Sequence, residues 1–285
     1  MKKILSLVLI SILSLSLLVG CAPKAETPAS NTDETPANNT TDTPDEPVEI
    51  KIGVSPEPHS KLVSLVADEL EKEGIKIKLI EFTDYVKPNH ALADGEIDAN
   101  FFQHKPYFDD FIAKEGLDLV SIGNVHVEPM ALYANGIDSL DDLPEGAEIA
   151  IPNDTVNGGR ALLLLEANGL IKLKEGAGLE ATEKDIAENP KNIKFTALEA
   201  ATLPRVLGEI DGAVINGNYA LEAGLNPVED GLVVEGKDSP YANIVAVREG
   251  EENEEKFVKL MEALQSDEIK TYIEENYNGG VVPAF

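Results

Sequence analysis

From Val48 to its end the chain alternates strand-like and helix-like segments, and that alternation leaves few architectures open. The run VEIKIGV at 48–54 is apolar at every second position, as a packed strand is. Leu62, Val63, Leu65, Val66 and Leu70 then recur at helical spacing, with Ser60 placed to cap the helix. A second strand at 75–82 completes a βαβ unit whose crossover should be right-handed. A short helix at 88–93, a strand at 97–102, a helix at 105–115 and a strand at 119–123 continue the pattern. A second set begins near Met130, with strands at 148–151, 193–197, 212–215 and 243–247 and helices at 158–167, from Pro204 and at 219–223; two amphipathic helices, 252–264 and 267–275, close the chain. Such alternation predicts the α/β class, mostly parallel sheets with helices on both faces. Two sets and a helical return predict two lobes, 48–130 with 242–285 and 131–241, crossed by the chain near 128–133 and 241–245. Ligands of open α/β sheets sit at the carboxyl ends of the strands, which would meet in the cleft between the lobes.

The first twenty residues stand apart. Lys2 and Lys3 precede an apolar run, 4–19, broken only by serines and too short for a comfortable membrane span. It ends Leu18-Val19-Gly20-Cys21, and small residues directly before the chain's only cysteine resemble a bacterial lipobox. That resemblance implies a signal peptide over 1–20, cleavage after Gly20 and a diacylglyceryl group on Cys21; the alternative is an ordinary signal peptide with an incidental cysteine. Two acyl chains anchor a protein stably where one would not. Residues 21–47 then read as a disordered acidic tether, because 22–47 contain five Pro, six Thr and six Asp or Glu, with alanine the only apolar side chain. A lone cysteine excludes an intramolecular disulfide and any cysteine-rich metal site. Loss of Lys2 and Lys3 with the leader would take the net charge from −29 to −31, a surface that repels phosphate backbones and so disfavours nucleic acid as a partner.

Four segments could carry chemistry, each at a strand-to-helix junction or a crossing. In NDTVNGGR, 153–160, a glycine-containing turn opens an apolar helix whose N-terminus offers unpaired N–H groups, and Arg160 adds a planar fork suited to a carboxylate. The plainer alternative is an ordinary capped turn with Arg160 paired to a surface acid. In DANFFQHKPY, 98–107, Phe102, His104 and Tyr107, joined by Tyr85 at a similar strand end, could wall a pocket for a flat or sulfur-bearing side chain. Alternatively the two phenylalanines are core and His104 is a helix cap. Asn216 in VINGNY and Asn243 in SPYAN offer amide oxygens able to accept from an ammonium group. Together these residues suit a zwitterion better than a reaction. No Gly-x-Ser-x-Gly, His-Glu-x-x-His or Gly-x-Gly-x-x-Gly motif is present. His104, the one candidate for acid–base work, lacks an evident partner. No two of the four histidines, 59, 90, 104 and 126, are spaced i, i+4, so no metal and no cofactor is expected.

With those residues in view the chain resembles the methionine-binding lipoproteins of ABC importers, the NlpA-type solute-binding family. The phrases that carry the likeness, FTDYVKPNHAL, GEIDANFFQHKPY, VEPMALY, IPNDTVNGGRALLLL, ENPKNIKF, AVINGNYALEAGL and SPYANIVAVR, run in order from about Ile50 to the end. The resemblance implies a two-lobed, periplasmic-binding-protein-like (type II) fold. It also implies a non-enzymatic receptor on the extracytoplasmic face of the cell membrane that captures a free amino acid, L-methionine or a relative, and delivers it to an ABC permease and its ATPase. It assigns Tyr85, Phe102, His104 and Tyr107 to the side-chain pocket, Arg160 with Asn157 to the α-carboxylate, and Asn216 and Asn243 to the amino group. Val156 departs from the family's pattern, which has a small polar residue there; the lost hydroxyl leaves the orientation of Asn157 open. Another amino acid, a short peptide or a metal ion on the same fold remain alternative ligands.

Overall fold

Strand β1 (Val48–Val54) feeds a single helical turn at Pro56–Ser60 that runs directly into α1 (Lys61–Lys72). Ser60 therefore does not cap α1 with its side chain: its backbone is already helical, and its hydroxyl donates to Glu81 at 2.9 Å. The structure, a computed structural model, describes residues 47–236 and 239–285; the leader, Cys21 and the tether up to residue 46 lie outside the described residues. Next come β2 (Ile75–Glu81), α2 (Lys87–Ala93), β3 (Ala99–His104), α3 (Lys105–Glu115) and β4 (Leu119–Val127). Three residues after β4 the chain enters a second sheet as β5 (Ala131–Ala134). That part continues with β6 (Glu148–Pro152), α4 (Thr155–Ala167), a ribbon of β7 (Lys172–Leu173) and β8 (Ile186–Glu188), β9 (Lys194–Leu198), α5 (Leu203–Val206), β10 (Gly212–Ile215), α6 (Gly217–Glu222) and β11 (Val233–Val234). The chain then returns through β12 (Ala242–Arg248), α7 (Glu255–Leu264), α8 (Asp267–Asn276) and β13 (Val282–Pro283).

The first sheet has the order β13-β4-β12-β3-β1-β2 and the second β11-β5-β10-β6-β9. In each, three neighbouring strands run parallel: β2, β1 and β3 in the first, β10, β6 and β9 in the second. β12 is antiparallel to both its neighbours, and so is β5. The reversal has a topological cause. These two strands carry the chain into each lobe from the cleft side, where the parallel strands end, and so must run the other way. The short β11 and β13, and the β7–β8 ribbon, are too brief to leave a periodic signal in the sequence.

Each sheet is buried on both faces, which is why its strands read as nearly continuous apolar runs. In β12, Val245 and Val247 join α1, α7 and α8 in one core, while Ile244 and Ala246 join Leu92 of α2 and Phe108 of α3 in another. In the second lobe Ile149 and Ile151 pack on Leu162 and Leu165 of α4, while Ala150, Ala213 and Ile215 face Leu203 and Ala220. Burying each large apolar side chain contributes about 1.5–3 kcal/mol. Two sandwiches stand with the carboxyl ends of their parallel strands facing a common cleft.

Candidate functional site

All eight ligand-site residues expected from sequence line one cavity in that cleft. The turn after β2 supplies Tyr85; the end of β3 and the start of α3 supply Phe102, His104 and Tyr107. The first turns of α4 supply Asn157 and Arg160, the end of β10 supplies Asn216, and β12 supplies Asn243. Gln103, Glu128, Gly217 and Asn218 complete the wall. Sequence reasoning missed these four, although all of them sit inside phrases already singled out and Glu128 lies in the predicted crossing.

His104 does both things the sequence left open. Its Nδ1 accepts from the backbone N–H of Tyr107 at 3.1 Å, capping α3, and its Nε2 lies 3.0 Å from Oδ1 of Asn157 across the cleft. Nε2 must therefore carry the proton, and burial keeps the ring neutral by lowering its pKa to about 3. Phe101 is core, wholly buried, while its neighbour Phe102 faces the cavity. Tyr85, Phe102 and Tyr107 cluster with ring centroids about 6 Å apart, and Tyr107 donates its hydroxyl to the carbonyl of Tyr85 at 3.0 Å.

The N-terminus of α4 differs from the expected anion site. The helix starts at Thr155, three residues earlier than the glycines suggested, and Asp154 caps it by accepting from the Asn157 backbone at 2.8 Å. A carboxylate of the chain thus already occupies that helix end. The glycines serve packing: a Cβ on Gly158 would lie 2.9 Å from the Pro152 carbonyl oxygen, and one on Gly159 would strike that of Leu179. Asp154 also supplies what Val156 cannot. The Asn157 Nδ2 donates to both its carboxylate oxygens at 3.1 Å, which turns Oδ1 toward His104 and toward Nδ2 of Asn216 at 2.8 Å. Every polar atom of the Asn157 side chain is thereby used. It borders the cavity as a junction and has no free group for a carboxylate.

That junction decides what its neighbours present. With Nδ2 committed to Asn157, Asn216 keeps a buried Oδ1 with no partner among the described residues. Tyr85 donates its hydroxyl to Oδ1 of Asn218, leaving the Asn218 Nδ2 buried and equally unpartnered. Leaving such a group unmade costs about 1–3 kcal/mol. Asn243 is turned opposite to expectation. Its Oδ1 lies 3.1 Å from Nε2 of His59, so the end it can offer the cavity is the N–H₂.

Arg160 is buried, stacked over Tyr241 at 4.1 Å, and paired with Glu235 through Nε at 2.9 Å and Nη2 at 2.6 Å. Nη2 also donates to the Glu128 carbonyl at 2.9 Å. The acid partner foreseen as the plainer reading is present. It holds one edge of the guanidinium and leaves Nη1 without a hydrogen bond among the described residues.

Behind the wall, His59, His126 and Glu128 bring their ligand atoms within 4.8 Å of one another, which sequence spacing did not foresee. Each Nε2 is already a donor, His126 to Glu128 at 2.7 Å and His59 to Asn243 at 3.1 Å, and the His59 Nε2 also lies 3.3 Å from the Glu128 carboxylate. Both rings are wholly buried, which drives their pKa values down to about 3 and about 4. These three are the residues that could hold a metal, but binding one would break the hydrogen bonds that order the wall, and the cluster has no exposed face. Burial raises the pKa of Glu128, while His59, the backbone N–H of Asn218 and Arg160 oppose that rise.

Two α/β lobes joined by two crossings, with a small cavity of amides, aromatic rings and one arginine closed between them, define a solute-binding protein. The chain belongs to the NlpA lipoprotein family, whose sequence model matches residues 50–285. It is 48% identical over 241 residues to the D-methionine-binding lipoprotein MetQ of Salmonella typhimurium, covering 83% of this chain and 89% of that one. It is 46% identical over 236 residues to membrane lipoprotein TpN32 of Treponema pallidum, covering 82% and 88%. A nutrient-binding protein of Burkholderia cenocepacia, solved bound to methionine, superposes with a TM-score of 0.79 at 47% identity over 83% of this chain and all of that one. Among the described residues no helix is long and apolar enough to cross a membrane.

Proposed function

We propose that the cavity binds methionine, and that the protein is the lipid-anchored receptor of an ABC importer. The observation that carries the ligand is the pair of unpartnered groups two residues apart at the start of α6, the Asn216 Oδ1 acceptor and the Asn218 Nδ2 donor, in one cavity with aromatic walls. A free amino acid supplies the complement of both. Its ammonium group meets Asn216 Oδ1 and the carboxylate of Glu128. Its carboxylate meets Nη1 of Arg160 with the amide N–H groups of Asn218 and Asn243. Tyr85, Phe102 and Tyr107 receive a thioether, a polarisable group that packs well against aromatic rings. The lobes are 48–130 with 242–285 and 131–241, and closing them over the ligand makes the cross-cleft bonds His104–Asn157 and Tyr85–Asn218.

Native mass spectrometry of the purified protein should find methionine bound, and calorimetry on stripped protein should give a Kd at or below about 1 µM for one of its enantiomers. Arg160→Ala combined with Glu235→Gln, which avoids stranding a buried carboxylate, should weaken binding at least tenfold. Unchanged affinity in that variant defeats the carboxylate assignment. The named relatives and the lipobox support anchoring through acyl chains on Cys21, facing a permease and its ATPase outside the cytoplasm. Cys21→Ser should release the protein from membranes, and retention there would overturn the anchor.

A further inference from the structure

His59 touches no part of the cavity, yet it contacts two side chains that do. It sits in the turn Pro56–Ser60 after β1, wholly buried, edge-on to Phe101 with ring centroids 4.6 Å apart and beside His126 at 4.9 Å. From that fixed point its Nε2 reaches Oδ1 of Asn243 at 3.1 Å and Oε1 of Glu128 at 3.3 Å. Glu128 lies in the first crossing between the lobes, just after β4, and Asn243 begins the second, in β12. That N–H turns the Asn243 amide so that the nitrogen is left for the cavity.

Resting on the methionine reading above, we propose that His59 is a positioning residue for the charged end of the ligand: by holding the Asn243 amide oxygen it keeps the N–H₂ turned toward the ligand's α-carboxylate. Without the His59 N–H, the Asn243 amide is free to turn over and set its oxygen against that carboxylate. Binding of any ligand through its side chain or its amine is untouched by that change. The loss therefore falls on the part of the affinity that the carboxylate supplies.

The test sets two protein variants against two ligands. Calorimetry measures Kd for methionine and for 3-(methylthio)propylamine, which has the same chain and amine but no carboxylate, on wild type, His59→Leu and His59→Gln. Glutamine keeps an N–H near the position of Nε2, and leucine removes it. The expected result is methionine binding weakened about tenfold or more in His59→Leu and by less than about threefold in His59→Gln. The preference for methionine over the carboxylate-less amine should fall by a similar factor in His59→Leu alone. Equal weakening of both ligands would mean that His59 merely supports the fold, and would overturn this inference while leaving the methionine reading intact. Absence of methionine binding by the wild-type chain would instead overturn that reading, and this inference with it.

Discussion

Acid should unfold this protein through three histidines that the fold keeps neutral. His104 and His126 are pushed down to about 3 and His59 to about 4, each chiefly because burial disfavours the charged ring. In the unfolded chain a histidine titrates near 6.5. Between those values the unfolded state binds protons that the folded state refuses, so stability is full above about pH 7 and falls as pH drops through 6.5 toward 4. From pH 7 to pH 5 each ring accounts for about 2 kcal/mol, and the three together for about 6 kcal/mol. Two carboxyls act in the opposite direction. Glu128 and Asp154 have pKa values raised by burial, so the folded state takes up their protons first and recovers part of the loss. The lowered carboxyl of Asp84 acts below this window, since its contribution is lost only under its unfolded value of 3.8. Urea unfolding of ligand-free protein at pH 7, 6 and 5 measures the effect; with a slope of about 3 kcal/mol/M, the midpoint should fall by more than about 1 M. His126→Gln keeps a donor for Glu128 but cannot titrate, so it should lose about 2 kcal/mol less over the same range. A wild-type midpoint that stays level from pH 7 to 5, or a variant that tracks wild type at every pH, would refute the reasoning.

Two further substitutions probe the wall itself. A Cβ on Gly217 would lie 2.5 Å from Cβ of Glu128 and 3.3 Å from its Cα, so Gly217→Ala should displace the first crossing, cost about 1–3 kcal/mol in urea unfolding and weaken methionine binding about tenfold by calorimetry. Asp154→Ala should lower stability by about 1 kcal/mol through loss of the α4 cap, and should also weaken binding because Asn157 no longer has a reason to point its oxygen at Asn216; Asp154→Asn should retain the cap and lose less.

The strands and helices that matter were legible in the residues because both sheets are buried on two faces and their helices are amphipathic or wholly apolar. Periodicity and apolar runs report such burial directly. The same alternation placed Tyr85, Phe102, His104, Tyr107, Asn157, Arg160, Asn216 and Asn243 at strand ends and crossings, and those positions do converge on one cavity. Periodicity carries no information about which end of an amide points where. That Asn216 offers an oxygen and Asn243 a nitrogen depends on Asp154 and His59, partners 62 and 184 residues away in the chain. Arg160 gave no sign in sequence of Glu235, nor the scattered histidines of the cluster with Glu128, because those contacts join segments that only the closed fold brings together. Local spacing determines which residues reach the cleft. Hydrogen-bond partners and burial, set by the tertiary packing of both lobes, determine the charge and orientation each one presents there.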